Sequence, residues 1–238
     1  MTYYLVMAGL IIFGYLLGNV NFSILLSKLI NKDIRKYGSG NPGAINMMRS
    51  FGAKMGALTL VTDAIKGAIP AVLGWFLLGK GEMFTFGEDK IGIFIGGLSV
   101  IIGHIYPVFY KFKGGKGVAS SVGVGFVSAP LVAGISLLCA FIFLLTVKIG
   151  AIASFICIGV PLIYSSVVAF VGGRIAQGIL PLVMYLIVLI AHRANIKRIF
   201  KGEERKLTLF GKNATHKTIQ ENKTSEQSTS EQEQEINN

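Results

Sequence analysis

Apolar residues fall in seven runs, at residues 3–26, 56–78, 91–106, 118–127, 131–147, 149–171 and 175–191, separated by polar stretches. A helix needs about 20 apolar residues to cross a bilayer. The pattern therefore predicts an all-α integral membrane protein with seven transmembrane segments. The fourth run, 118–127, is too short to cross simply. It is expected to be a half-span buried among the others, because hydrocarbon tolerates a broken helix only where protein or a polar cavity surrounds its ends. Pro130 is expected to end this run, and Pro161 and Pro181 to kink or start later helices.

The polar stretches set the direction. Lys28, Lys32, Arg35, Lys36, Arg49 and Lys54 lie in the first loop, Lys111, Lys113 and Lys116 in the third, and Lys148 in the fifth. Many more follow residue 191, whereas the opposite loops hold only Lys80, Lys90 and Arg174. By the positive-inside rule the C-terminus is cytoplasmic and the N-terminus outside. The first loop, the third loop and the C-terminal stretch then share the cytoplasmic face.

Composition agrees: 52% of residues are hydrophobic and 15% charged, with mean hydropathy +0.62. In a soluble protein the net charge of +11 would suggest nucleic acid. Here loop charge explains it, and no nucleic-acid partner is expected. Cys139 and Cys157 fall within apolar runs without metal-ligand spacing and are expected to pack. No metal or cofactor is expected. The N-terminus has no basic region or small-residue cleavage site, so the first span is expected to be retained. Residues 1–211 are expected to form the membrane domain, and the Gln-, Glu- and Ser-rich stretch 212–238 a disordered cytoplasmic tail.

The chemistry centres on HIYPVFYKFKGGKGVAS, residues 104–120. Gly114, Gly115 and Gly117 surround Lys116, and glycines let backbone N–H groups approach an anion closely. A helix starting near Val118 would aim its positive end at the same place. A phosphate at a membrane surface is the simplest ligand. The stretch is not a P-loop, because Gly117 follows Lys116 and no glycine lies five residues before Gly115. Gly38, Gly40 and Gly43 match a dinucleotide fingerprint literally, but an apolar helix precedes them rather than a strand, so the match is accidental.

The first loop, GSGNPGAIN followed by Arg49, specifies a tight turn with positive-φ positions. Ser39, Asn41 and Asn46 supply hydrogen bonds, and Arg49 can grip a phosphate with two. Asp63 and Lys66 lie within the second run at a spacing that pairs them on one helix face. That pair is either structural or catalytic, and a carboxylate paired with lysine is a weak base. His104 is a base, a phosphate ligand or an interfacial hydrogen-bonder. In the last stretch His192, Asn195 and Arg198 share a helix face. Lys197, Lys201 and Arg205 suit anionic lipid.

These three stretches, GSGNPGAIN with Arg49, HIYPVFYKFKGGKGVA, and HRANIKRIFKGEERK, resemble the bacterial acyl-phosphate:glycerol-3-phosphate acyltransferases, the PlsY family, over residues 5–207. The Asp63–Lys66–Gly67 element is similar too. The chain departs from the family at Ile45 and Glu203, where threonine is common, while Glu204 fits. The resemblance implies a multi-pass bacterial plasma-membrane enzyme with a cytoplasmic active site. It implies transfer of a fatty acyl group from acyl phosphate to the 1-hydroxyl of glycerol 3-phosphate, giving lysophosphatidic acid and phosphate. This is the first acylation of phospholipid synthesis. A soluble phosphate acyltransferase is expected as a source of the long-chain donor. Gly114, Gly115, Lys116 and Gly117 are implied to hold glycerol 3-phosphate. Ser39 and Arg49 form the first catalytic motif; His192, Asn195 and Glu204 belong to the third. Asn41, Asn46, His104 and Lys111 complete the expected substrate contacts. Two rivals remain at this point. An anion transporter would place polar groups at mid-membrane in repeated halves. A lipid-phosphate hydrolase would want a nucleophile or metal carboxylates.

Overall fold

The computed structural model describes residues 1–78 and 89–207. The expected tail and Lys80 lie outside the described residues. All seven apolar runs are helical. In chain order the helices are α1 (Thr2–Asn19), α2 (Phe22–Leu29), α3 (Ala44–Phe51), α4 (Ala53–Leu78), α5 (Ile91–Ile105), α6 (Val118–Ser128), α7 (Pro130–Thr146), α8 (Gly150–Val171), α9 (Ile175–Ala191) and α10 (Arg193–Phe200). Among the described residues there is no β-strand, so the glycine match in the first loop has no βαβ unit around it.

Length and composition support four crossings, at Thr2–Leu29, α4, Ile91–Tyr110 and α8. A fifth arises if α9 and α10, bent by 65°, form one span. The apolar helices α6 and α7 are shorter, at 11 and 17 residues. Pro130 sits in the first turn of α7 and so separates it from α6, as expected. Pro161 and Pro181 both lie inside their helices rather than starting them.

The first run is interrupted where the pattern predicts one continuous helix. Val20 is extended, and the Asn21 side chain restarts the chain as α2 by accepting a hydrogen bond from Ile24 N–H at 3.1 Å. The break frees carbonyls at the end of α1, with consequences at the site.

Small residues set how closely the helices pack. A Cβ on Gly67 of α4 would overlap the Ser120 carbonyl of α6, and one on Gly123 of α6 would overlap the Ala64 carbonyl of α4. The short α6 is thus wedged against α4, with Val124 wholly buried. Ile101, Ile158, Leu162, Met184 and Val188 complete the core between α5, α8 and α9. Leu131, Ile135, Leu138 and Ile142 form an exposed stripe along α7, as a lipid-facing helix requires.

Candidate active site

The three polar stretches converge on a cavity of about 360 Å³. Ser39 and Asn41 reach it from the first loop, and Asn46 and Arg49 from α3. His104 reaches it from the last turn of α5, and Lys116 and Gly117 from the loop before α6. His192, Asn195 and Glu204 close the far side. The remaining wall is largely apolar: Leu60 of α4, Val122 of α6, Leu137 and Phe141 of α7, and Cys157 of α8. Ile45 also lines it, with its tip against Gly150 at the start of α8. Lys111, Gly114 and Gly115 do not line the cavity, and Lys111 is exposed.

The first loop is held by Asn46. Its side-chain carbonyl accepts from Ser39 N–H at 3.0 Å, and its amide donates to the Tyr37 carbonyl at 3.0 Å. Asn46 therefore shapes the turn that presents Ser39. Gly38 and Gly40 take the expected positive φ, at 59° and 71°.

The glycine–lysine stretch works differently from the expected anion cradle. Gly114 N–H donates to the Ile105 carbonyl at 3.2 Å, and Gly115 N–H to the His104 carbonyl at 3.1 Å. Those amides are spent on the end of α5, so they are not ready phosphate donors. Both residues are glycine for lack of room. A Cβ on Gly114 would overlap the His104 carbonyl, and one on Gly115 would overlap His104 Nε2 and stand 2.8 Å from the Pro42 carbonyl. Gly117 does line the cavity, at φ 81° as the N-cap of α6. Ser121 N–H bonds back to the Gly117 carbonyl, so the amides of the first turn are left without intrahelical partners. Val118 and Ala119 of that turn line the cavity, which brings the positive helix end to it. Gly114→Ala must displace backbone and with it Lys116. A loss of about a hundredfold in acyl transfer is expected, together with a lowered thermal midpoint, and activity assays with thermal unfolding check both.

Lys116 heads a relay across the cavity mouth. Its ammonium donates to the Asn195 side-chain carbonyl. The Asn195 amide donates to Glu204 Oε1 at 2.6 Å, and Arg198 Nε donates to Glu204 Oε2 at 2.8 Å. Burial is the main reason the Lys116 ammonium is pushed down to about 8. Glu204 opposes that shift, and Arg198 and Arg49 add to it. Arg205 also reaches the cavity and donates to the Gly38 carbonyl at 3.2 Å, tying the last stretch to the first loop. Arg205 thus has a place at the cavity mouth beyond the lipid-facing one expected for it. Arg198 and Arg205 were not among the expected site residues, although their charge within the third stretch was the available signal. The segment is pinned by Leu207, wholly buried, whose N–H donates to the Lys148 carbonyl at 2.8 Å.

Deeper in, Asp63 and Lys66 pair at 2.9 Å and are both about 1% exposed, as their spacing predicts. Lys66 also donates to the Val20 carbonyl at 2.7 Å, one of those freed by the α1 break, and meets His104 Nδ1 at 2.9 Å. On the opposite wall His192 Nδ1 lies 2.9 Å from the Val188 carbonyl. A carbonyl carries no hydrogen, so Nδ1 holds the proton, and in the neutral ring Nε2 keeps its lone pair.

The arrangement joins Arg49, Lys116, Arg198 and Arg205 to an apolar chamber, with Glu204 the only carboxylate on its described wall besides Asp63, which is paired with Lys66. It suits ligands with an anionic head and an apolar chain. Comparison with known proteins agrees. The family model for glycerol-3-phosphate acyltransferase matches residues 8–202. The glycerol-3-phosphate acyltransferase of Finegoldia magna is 39% identical over 212 residues, covering 88% of this chain and 98% of the relative. That of Aquifex aeolicus is 36% identical, covering 83% and 97%. Two crystal structures of PlsY (YgiH), an integral membrane glycerol 3-phosphate acyltransferase, are similar at 35% identity. The glycerol 3-phosphate form aligns with TM-score 0.71 over 86% of this chain and 96% of that one. The lysophosphatidic acid form aligns with TM-score 0.69 over 85% and 96%. The motifs, the helical frame and the match over nearly the whole folded region agree: this chain belongs to the glycerol-3-phosphate acyltransferase family.

Proposed function

We propose that this protein transfers a fatty acyl group from acyl phosphate to the 1-hydroxyl of sn-glycerol 3-phosphate, releasing lysophosphatidic acid and inorganic phosphate. The observation that carries the reading is the continuity of a cationic mouth with an apolar chamber in one cavity. The phosphates sit among Arg49, Lys116, Arg198 and the first turn of α6, and the acyl chain runs along α4, α6, α7 and α8. Similarity to one structure in a glycerol 3-phosphate form and another in a lysophosphatidic acid form supports both ends of this placement.

Acyl phosphate is a mixed anhydride and already activated, so the substrate hydroxyl attacks its carbonyl carbon directly. The new C–O ester bond forms as the bond from that carbon to the phosphate oxygen breaks. The electron pair leaves with phosphate, and the hydroxyl proton passes to phosphate or to His192 Nε2. The chain's contribution is to hold two mutually repelling anions together and to stabilise the charge that develops. Ser39 and Asn195 orient the reacting groups. Ser39→Ala is expected to lower transfer by about a hundredfold, with the Asn46-held loop intact. Near-normal transfer by purified Ser39→Ala protein would remove Ser39 from the site. Comparing acyl phosphate with acyl-CoA as donors tests the reaction: the donor reading requires transfer from acyl phosphate and none from acyl-CoA.

The same proposal extends to topology. Seven crossings, with α6 and α7 the short ones, put the cavity mouth on the cytoplasmic side, where the basic loops cluster. The donor then arrives from a soluble phosphate acyltransferase or along the bilayer.

A further inference from the structure

Lys66 and His104 are buried to within a few per cent, yet His104 reaches the cavity. From their geometry we infer that His104 serves substrate as a hydrogen-bond donor through Nε2–H, and that Lys66 is the positioning residue that fixes this tautomer. The inference deepens the proposed function and rests on it for the identity of the ligand, a phosphate oxygen of glycerol 3-phosphate or the donor.

The proton count gives the tautomer. An ammonium has three hydrogens and no lone pair. The Lys66 ammonium hydrogen-bonds the Val20 carbonyl at 2.7 Å, the Gly18 carbonyl at 3.4 Å and His104 Nδ1 at 2.9 Å, while Asp63 Oδ1 stands 2.9 Å away as its ion-pair partner without a hydrogen bond. The two carbonyls can only accept, and Lys66 is the cation of the Asp63 ion pair. The third hydrogen therefore points at Nδ1, which must offer a lone pair. Asp63 stands 3.9 Å from Nδ1, too far to take a proton from it by a hydrogen bond. An imidazolium would direct an N–H at an ammonium. The remaining form is a neutral ring with hydrogen on Nε2.

Nε2 has no hydrogen-bond partner among the described residues, and a Cβ on Gly115 would overlap it. This gives Gly115 a role that its bonded amide does not: it clears room at the His104 donor. His192 is held the other way, by the Val188 carbonyl at Nδ1. The two histidines thus offer complementary atoms to one cavity, a donor from His104 and an acceptor from His192.

Nitrogen-15 spectra of histidine-labelled protein test this directly, with His104→Gln and His192→Gln used to assign the signals. His104 is expected to show a bare Nδ1 and a protonated Nε2, and His192 the reverse. Adding glycerol 3-phosphate or inorganic phosphate is expected to shift the His104 Nε2 signal more than Nδ1. In transfer assays His104→Gln, whose amide N–H replaces Nε2–H, is expected to stay within about fivefold of the parent, whereas His104→Phe falls about a hundredfold. Asp63→Asn/Lys66→Met, which leaves no orphaned charge, is expected to lose the single tautomer and to raise KM for glycerol 3-phosphate about tenfold. A protonated Nδ1 on His104 in the parent, or parental transfer by His104→Phe, would overturn the inference. If the double variant does not fold, the parent spectrum and the His104 series decide. A parent that shows the expected tautomers and phosphate shift but no acyl transfer contradicts the proposed function while leaving the donor assignment standing.

Discussion

Lys116→Ala lowers acyl transfer by about a hundredfold or more, the loss expected when one charge-stabilising donor leaves a site of this kind. The effect is large because Lys116 both faces the cavity and ends the relay through Asn195 to Glu204. Its lowered pKa adds a second signature. A lysine whose pKa is pushed down to about 8 is charged below that pH and loses its charge as pH rises through it. The substrate phosphate becomes a dianion above about pH 6, its second ionisation. For the free enzyme, kcat/KM should therefore be bell-shaped, rising through about 6 and falling through about 8. The falling limb of kcat should lie higher, because a bound dianion favours the ammonium. Lys116→Arg should remove the alkaline limb, since a guanidinium stays charged throughout this range. The pH profiles of the parent and of Lys116→Arg check this. A limb near 8 that persists in the arginine variant would assign it to another group.

Glu204 is expected to matter for stability and for that same limb. Its side chain is 7% exposed and takes hydrogen bonds from Asn195 and Arg198. Glu204→Ala leaves both donors without their partner, a cost of about 2–3 kcal/mol, discounted because Arg198 is partly exposed. Thermal unfolding in a fixed detergent would show it. Glu204→Gln keeps the volume but removes the charge that holds the Lys116 pKa up. Its alkaline limb should therefore move to lower pH, with transfer at pH 7 falling about tenfold. An unmoved limb would mean that Glu204 and Lys116 are not electrostatically linked.

Periodicity and composition showed the helical frame well, because in a bilayer the apolar run is the dominant signal. Residues with unusual chemistry for a membrane chain, such as Lys116, Asn195 and Arg49, pointed to the site in the same way. Arrangements that depend on contacts distant in sequence did not show. The break between α1 and α2 lies inside a continuous apolar run, with Asn19 and Asn21 as its only markers. Its purpose appears only when Lys66, 46 residues from Val20, takes the freed carbonyl. The glycines of the second stretch read as an anion cradle in the sequence, and not as clearance around His104, since room is a property of the partner. Arg205 was ambiguous because cations at a lipid surface and at a cavity mouth look alike in a basic stretch. The 65° bend between α9 and α10 turns that stretch from a surface helix into one wall of the site.

The central claim is that one cavity holds glycerol 3-phosphate and acyl phosphate together. It is tested most directly with purified protein in lipid membranes, given both compounds, by following lysophosphatidic acid and inorganic phosphate in the same time course. Equal appearance of the two products from acyl phosphate, strictly dependent on glycerol 3-phosphate, is the result expected. Phosphate released without lipid product would contradict the account and point to a hydrolase. The absence of both products from folded protein would contradict it as well and favour a carrier of anions.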